Sequence, residues 1–172
     1  MMLQSINFFW HGSKLRSLDL SCIESFHRHG HPVIVHGYSA PENLPTFADY
    51  FDARQLMPEK DLVWSKSGSV APGSDRYRYR LIEAGMGIYS DTDMYCIAPI
   101  EEEQYIMGYQ SFSMVANGFL SYPPGCVLSK KLLEFTSRTD CIPPWLTRRK
   151  PLLPFATLRG CLVDALWSTL KA

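Results

Sequence analysis

Apolar and polar positions change period several times along the chain, and the changes mark out alternating strands and helices. At the start, Ile6, Phe8 and Trp10 alternate with Asn7 and Phe9, the pattern of a buried strand. Lys14 to His29 then carries Leu15, Leu18, Cys22, Ile23 and Phe26 at helical spacing and stops at Gly30. Pro32 to His36, PVIVH, is a short β-branched run with strand character. Strand, helix and strand in that order predict a right-handed crossover and a parallel pair. Ser39 to Pro72 is polar and proline-bearing and reads as a loop, with short helical pieces around Asp52 to Met57. Its serine- and glycine-rich end is either a surface connection or a segment that folds over a bound ligand.

The second half of the pattern is more sharply punctuated. Ser74 to Ala84 reads as a helix, with Ser74 as its N-cap, Asp75 in the first turn and Gly85 just past the end. Asp75, Arg78, Tyr79 and Ile82 fall on one face at spacings of three and four. A glycine turn and a short apolar strand follow, ending at Asp91 and Asp93. Met94 to Ile100, Tyr105 to Tyr109 and Ser113 to Leu120 read as further strands. Val127 to Ser137 and Thr157 to Leu170 read as packing helices.

The two aspartates are the first candidate chemistry. On a continuing strand they would face opposite sides, but a turn after Ser90 lets both carboxylates point into one crevice. Such a pair suits a hard cation, Mg²⁺ or Mn²⁺, which takes oxygen ligands and is commonly held by one or two carboxylates plus substrate phosphates. Asp91, Thr92 and Asp93 are equally ordinary turn residues, whose side chains bond their own backbone. Asp75 and Arg78 have a similar double reading, either a weak ion pair on a solvated helix or groups that position a ligand.

Taken together, Ser74, Asp75, Arg78, Tyr79, Gly85, Gly87, Ile88, Tyr89, Asp91 and Asp93 resemble the pattern of the DXD-containing glycosyltransferases related to family 32, of the capsular-polysaccharide and initiating mannosyltransferase type. Met86 departs from that pattern, standing where the family usually has the first glycine of a pair. The N-terminal SINFFWHG resembles the family's first strand. The resemblance implies an α/β GT-A (Rossmann-like) fold with a mostly parallel central sheet. It also implies a nucleoside diphosphate sugar as donor and a glycan or lipid-linked acceptor. It assigns Asp91 and Asp93 as catalytic and metal-binding residues for Mn²⁺ or Mg²⁺. Trp10, His11, Gly12, Asp75, Arg78, Tyr79, Asp91 and Asn117 are assigned to donor binding. Retention at the anomeric carbon is implied as well. The family often places a histidine ligand near the C-terminus, whereas no histidine follows His36 here, which leaves Asp140, Asp164 or water for that position.

Composition narrows the setting. The 172 residues, 46% apolar, suffice for a single domain with a real core. No run of about 18 apolar residues is present, and Asp19 and Glu24 interrupt any secretory core, so a soluble, cytoplasmic protein is expected. Cys22, Cys96, Cys126, Cys141 and Cys161 are odd in number and widely spaced, the pattern of reduced thiols. A formal net charge of zero argues against a nucleic-acid binder. Charge is nevertheless uneven: residues 1–126 carry nine Lys or Arg against fourteen Asp or Glu, and 127–172 carry eight against three. The resemblance places the nucleotide-sugar-binding part in residues 1–126. The short, basic, helical second part, with Arg148, Arg149 and Lys150 beside Trp145, is either a solvated face or a peripheral contact with an anionic membrane.

Three functions compete at this level. The first is a metal-dependent sugar transfer in polysaccharide synthesis. The second is a non-catalytic sugar-nucleotide-binding module or inactive transferase, favoured by the abbreviated C-terminal half. The third is an aspartate phosphatase of the D-x-D-x-T type, disfavoured because Tyr95 stands in place of the required threonine.

Overall fold

A computed structural model describes residues 3–65, 67–111 and 114–137. In chain order it contains β1 (Ile6–Phe9), α1 (Ser17–Arg28), β2 (Val33–Gly37), β3 (Ala48–Asp52), α2 (Ala71–Glu83), β4 (Ile88–Ser90), β5 (Ile106–Ser111), β6 (Met114–Ser121) and α3 (Val127–Ser137). Two short 3-10 turns, Ala53–Gln55 and Glu59–Asp61, lie between β3 and α2. The strands form one sheet in the order β3-β2-β1-β4-β6-β5. The β3-β2-β1-β4 part is parallel, and β6 and β5 add an antiparallel edge.

The sheet is covered on both faces, which explains why its central strands are mostly apolar, with Asn7, His36 and Ser90 as buried polar exceptions. Ile6 and Phe8 of β1, Val33 and Val35 of β2 and Ile88 of β4 pack against Ile23 and Phe26 of α1. Phe9 and Tyr89 join Tyr77, Leu81 and Ile82 of α2 and Leu128 and Leu132 of α3 in the other layer. The chain order makes β1 the pivot: α1 carries the chain to β2 on one side, and α2 later carries it to β4 on the other. β1 and β4 run parallel, but the strand order reverses between them, and such a switch point is where open α/β sheets leave a crevice outside the carboxyl ends of their strands.

Several boundaries differ from the sequence expectation. α2 begins at Ala71, so Ser74 sits inside its first turn, with its N–H bonded to Val70 O at 2.9 Å, and is not the N-cap. Pro72 fits that first turn because the N–H it lacks would have had no helical partner. Gly85 does end the helix with φ 70°, and Gly87 follows with φ 105°. A Cβ on Gly87 would come within 2.7 Å of Ser5 O, so glycine is required there. Met86 occupies the position between them, and its carbonyl accepts from Ser5 Oγ at 2.9 Å and Asn7 Nδ2 at 2.8 Å.

β3 falls within the stretch read as loop. Its acidic residues Asp49 and Asp52 mask it in the sequence, and charges of this kind suit an edge strand. Conversely, Met94 to Ile100 forms no strand. β1 and β6 already flank β4, and the segment's N–H groups go instead to side chains: Cys96 N to Ser25 Oγ at 2.8 Å and Ile100 N to His31 Nε2 at 3.0 Å. The helix expected over Thr157 to Leu170, the basic run at 148–150, and Asp140 and Asp164 lie outside the described residues. Among those described, Cys22, Cys96 and Cys126 are free thiols, and no helix is long and apolar enough to cross a membrane.

Candidate active site

A crevice of about 490 Å³ opens at the carboxyl ends of β1 and β4. Trp10 and His11 line it from β1, Asp91, Thr92 and Asp93 from β4, Ser69, Val70, Ala71, Ser74 and Arg78 from the start of α2, and Arg16 from the start of α1. The turn expected after Ser90 is present: Met94 N bonds Asp91 O at 3.2 Å and turns the chain, bringing both aspartates to one opening.

Arg78 organises the floor. Its side chain is only 5% exposed, so the surface ion pair considered from the sequence is instead a buried one. Nη2 lies 3.1 Å from Asp75 Oδ1 and 3.1 Å from Asp91 Oδ1. Nη1 donates to the carbonyl of Asn117, and the guanidinium stands over the Tyr89 ring at 4.6 Å. Asn117 Nδ2 in turn donates to Asp75 Oδ1 at 2.9 Å. Burial works against the charge of Arg78, but Tyr89, Asp91 and Asp75 outweigh it, and its pKa lies above that of an ordinary arginine. Asp75 and Asn117 thus act from behind Arg78 and do not line the crevice.

Asp91 joins this network to the opening. Its side chain is 35% exposed, and Oδ1 accepts from Tyr89 Oη at 2.8 Å as well as from Arg78. Because a carboxylate only accepts, Tyr89 gives its proton to Asp91. Ser74 Oγ, 3.1 Å from Tyr89 Oη, then donates to Tyr89 while accepting from Arg78 Nη2 at 3.3 Å. The backbone is held too, with Asp91 N donating to Gly118 O at 2.6 Å. Gly118 has no room for more: a Cβ there would come within 2.7 Å of Asp91 Oδ2.

Asp93 is different. It is exposed, and its carboxylate makes no hydrogen bond or ion pair to the described residues. With Oδ1 of Asp91 engaged and Oδ2 left over, the pair offers hard oxygen donors. No cluster of three or more His, Cys, Asp or Glu exists among the described residues. That donor set fits Mg²⁺ or Mn²⁺, which complete their shell with water and phosphate oxygens, better than a cation that needs an all-protein cage.

The remaining expected donor residues separate. Trp10 Nε1 is buried in the crevice wall with no hydrogen-bond partner among the described residues. His11 is exposed and meets the Trp64 ring edge-on at 5.1 Å. Gly12 lies beside the Trp10 indole, where a Cβ would come within 3.2 Å of Nε1. Tyr79 is fully buried in the apolar layer with Leu81 and Leu132 and does not line the crevice.

Arg16, which lines the same crevice, has no place in the sequence reading. Its signal was the Arg16 to Asp19 spacing at the start of α1, where Asp19 takes the backbone N–H of Arg16 at 2.8 Å and caps the helix. A second cavity of about 510 Å³ lies at the opposite, amino ends of β1 and β4. It is lined by Ser5, Gly87, Glu102 and Glu103 among others and by no cationic side chain, so it offers a diphosphate nothing.

No family model matches the sequence, and neither does any curated protein. Among solved structures, the chain is similar to the PaToxG glycosyltransferase, with a TM-score of 0.67 and 13% identity over 99% of this chain and 70% of that one. What this likeness carries is the architecture: the mixed α/β domain built around β1 and β4 shares the fold of that protein.

Proposed function

We propose that the protein is a glycosyltransferase of the GT-A type that binds a nucleoside diphosphate sugar in the crevice between β1 and β4 and transfers the sugar to a glycan or lipid-linked acceptor. The observation that carries this reading is the buried Asp75 and Arg78 pair, braced by Asn117, which ends at Asp91 beside Asp93, a carboxylate with no partner among the described residues, at the point where strand order reverses. A cation–carboxylate network of this kind is costly to bury, and a ligand-facing end gives it a purpose that packing alone does not.

In this reading Asp93 and Asp91 hold Mn²⁺ or Mg²⁺. The bound cation supplies Lewis-acid neutralisation of the departing diphosphate. Arg78 and Tyr89 fix the orientation of Asp91, so the carboxylate needs no reorganisation when the donor arrives. Trp10, with its free Nε1–H, and His11 line the side of the crevice that follows β1 and are assigned to the nucleoside. Retention at the anomeric carbon, and a membrane contact through the basic run at 148–150, belong to the same proposal and rest on the sequence.

The test is hydrolysis of a panel of UDP and GDP sugars with Mn²⁺, because water can replace the acceptor. Slow release of nucleoside diphosphate is expected, abolished by chelator and by Asp91→Asn or Asp93→Asn. Tight binding without turnover, also in the presence of oligosaccharide and lipid-linked acceptors, would make the protein a sugar-nucleotide-binding module. Asp93→Ala is expected to remove Mn²⁺-dependent UDP and GDP binding with the melting temperature unchanged, since Asp93 packs against little. Equal affinity with Mn²⁺ and with chelator would sink the metal assignment.

A further inference from the structure

Asp19 is a charged side chain with no exposure at all, on the helix that faces away from the Arg78 network. It is nevertheless tied to the candidate site at two points. Oδ1 accepts from Thr92 Oγ1, the middle residue of the Asp91 to Asp93 turn, at 2.8 Å across 73 positions of sequence. The same carboxylate takes Arg16 by a fork, Nη2 to Oδ1 and Nε to Oδ2, both at 2.8 Å. Burial pushes the Asp19 pKa up, but the hydrogen bonds from Arg16 and Thr92 outweigh it and hold the group below the usual carboxylate range.

Helix capping accounts for only part of this arrangement. The cap needs the bond from Arg16 N, and the fork is a further i,i+3 pair on the same turn, whereas the Thr92 bond reaches outside the helix altogether. Together the fork and the Thr92 bond fix two elements of the crevice to each other. Arg16 spends one edge of its guanidinium on Asp19. Nη1 has no hydrogen bond to the described residues, and the side chain remains 68% exposed. The guanidinium also rests 5.5 Å from the Trp10 ring centroid and lies close enough to Asp93 to feel its charge. A planar cation with one edge immobilised and the other open is suited to phosphate oxygens, which it meets with paired N–H groups.

We propose that Asp19 is a positioning residue that locks the Thr92 turn and the Arg16 guanidinium into one unit, so that Arg16 presents its free edge to the diphosphate of a bound nucleotide as a second cation beside Arg78. This rests on the proposed nucleotide-sugar site. Both Nη atoms of Arg78 are engaged by Asp75, Asp91 and Asn117 and its side chain is buried, so it sets carboxylate geometry, while Arg16 has an exposed edge to give to ligand. Thr92, read from the sequence as a spacer between two aspartates, becomes the tether of the turn.

The experiment is a double-mutant cycle on the full chain, with Mn²⁺-UDP, Mn²⁺-GDP and Mn²⁺-pyrophosphate as probes, and with melting temperature followed in parallel. Asp19→Asn and Thr92→Val are each expected to weaken Mn²⁺-diphosphate binding about 10- to 100-fold, the usual cost of losing an outer partner of a metal-binding group. The double variant should be no weaker than Asp19→Asn alone. Thr92→Val leaves the α1 cap untouched, so it keeps the test alive if Asp19→Asn unfolds. Arg16→Gln should weaken all three probes, and Arg16→Lys should restore only part of the loss because it lacks the fork. Additive losses in the cycle, or wild-type affinity in Thr92→Val and Arg16→Gln, would overturn the proposal while leaving the site itself in place. If the wild-type chain binds none of the three probes, the nucleotide-sugar reading falls and takes the proposal with it.

Discussion

Helix α2 contributes to two buried polar clusters on one face of the sheet, and they are built on opposite plans. Tyr77 belongs to a neutral one. His36 Nε2 lies 2.9 Å from Asn7 Oδ1, and His36 Nδ1 lies 2.9 Å from Tyr77 Oη. Asn7 Nδ2 is committed to the carbonyls of Met86 and Ile88 at 2.8 and 3.2 Å, so Oδ1 must be the acceptor. His36 therefore carries its proton on Nε2 and accepts from Tyr77 at Nδ1. All three residues are fully buried and the chain closes on itself. One residue further along the helix, Arg78 anchors a charged cluster that remains open at Asp91 and leaves its own Nε without a partner. The contrast teaches that a neutral network can be completed within the fold, whereas this charged one keeps acceptor capacity open at a strand end.

Breaking the charged side should have the largest effect. Arg78→Ala removes the cation beside the buried carboxylate of Asp75, and removing one partner of such a pair costs about 3–5 kcal/mol, to be read from urea unfolding. A loss under about 1 kcal/mol would mean that the pair behaves as a surface contact and would erase the contrast.

The neutral cluster should announce itself through pH. Burial pushes the His36 pKa down to about 3, below the 6.5 of an unfolded histidine. A folded-state pKa below the unfolded one means that the unfolded chain binds the extra proton. The contribution is therefore complete above about pH 6.5 and is lost as pH falls towards 3, with a slope approaching 1.4 kcal/mol per pH unit. His36→Gln is expected to be less stable at pH 8 and flatter across this window. Parallel wild-type and variant curves would show that the imidazole is not held neutral.

Gly118→Ala sharpens the comparison at the open end. Its Cβ would come within 2.7 Å of Asp91 Oδ2, the far end of a movable side chain, so stability should change little. Displacing that carboxylate by about an ångström should nonetheless lower turnover on the order of 10²-fold. Unchanged turnover would free Asp91 from any geometric demand. Tyr89→Phe is the mildest probe. It removes the donor to Asp91 and the acceptor of Ser74, and about 1 kcal/mol of stability should go with it. A melting temperature equal to wild type would mean that water replaces the hydroxyl.

What local pattern encodes was legible. Val33 to His36 and Val127 to Ser137 follow from residue type and period, and Gly85 from the need for a positive φ after α2. Asp75 and Arg78 stand one helical turn apart, so their contact was implied by spacing, and Asp91 with Asp93 by the turn that follows Ser90. The start of α2 was misplaced because Ser74 looks like a cap, while its hydroxyl in fact serves Tyr89 and Arg78. β3 was missed because its charges suit an edge, and a strand becomes an edge only when its neighbours are in place.

The sequence alone determined the alternation of elements, the apolar faces of the helices and the carboxylates that a turn would bring together, since each depends on residues within a few positions of one another. The tertiary structure decided that β6 would insert beside β4 and bring the Asn117 and Gly118 carbonyls to the site. It also decided that Arg78 would be buried and that Asp19 would reach Thr92 across the sheet. Those contacts join residues tens of positions apart. Their strength comes from the exclusion of water by packed layers, a property that no single segment carries.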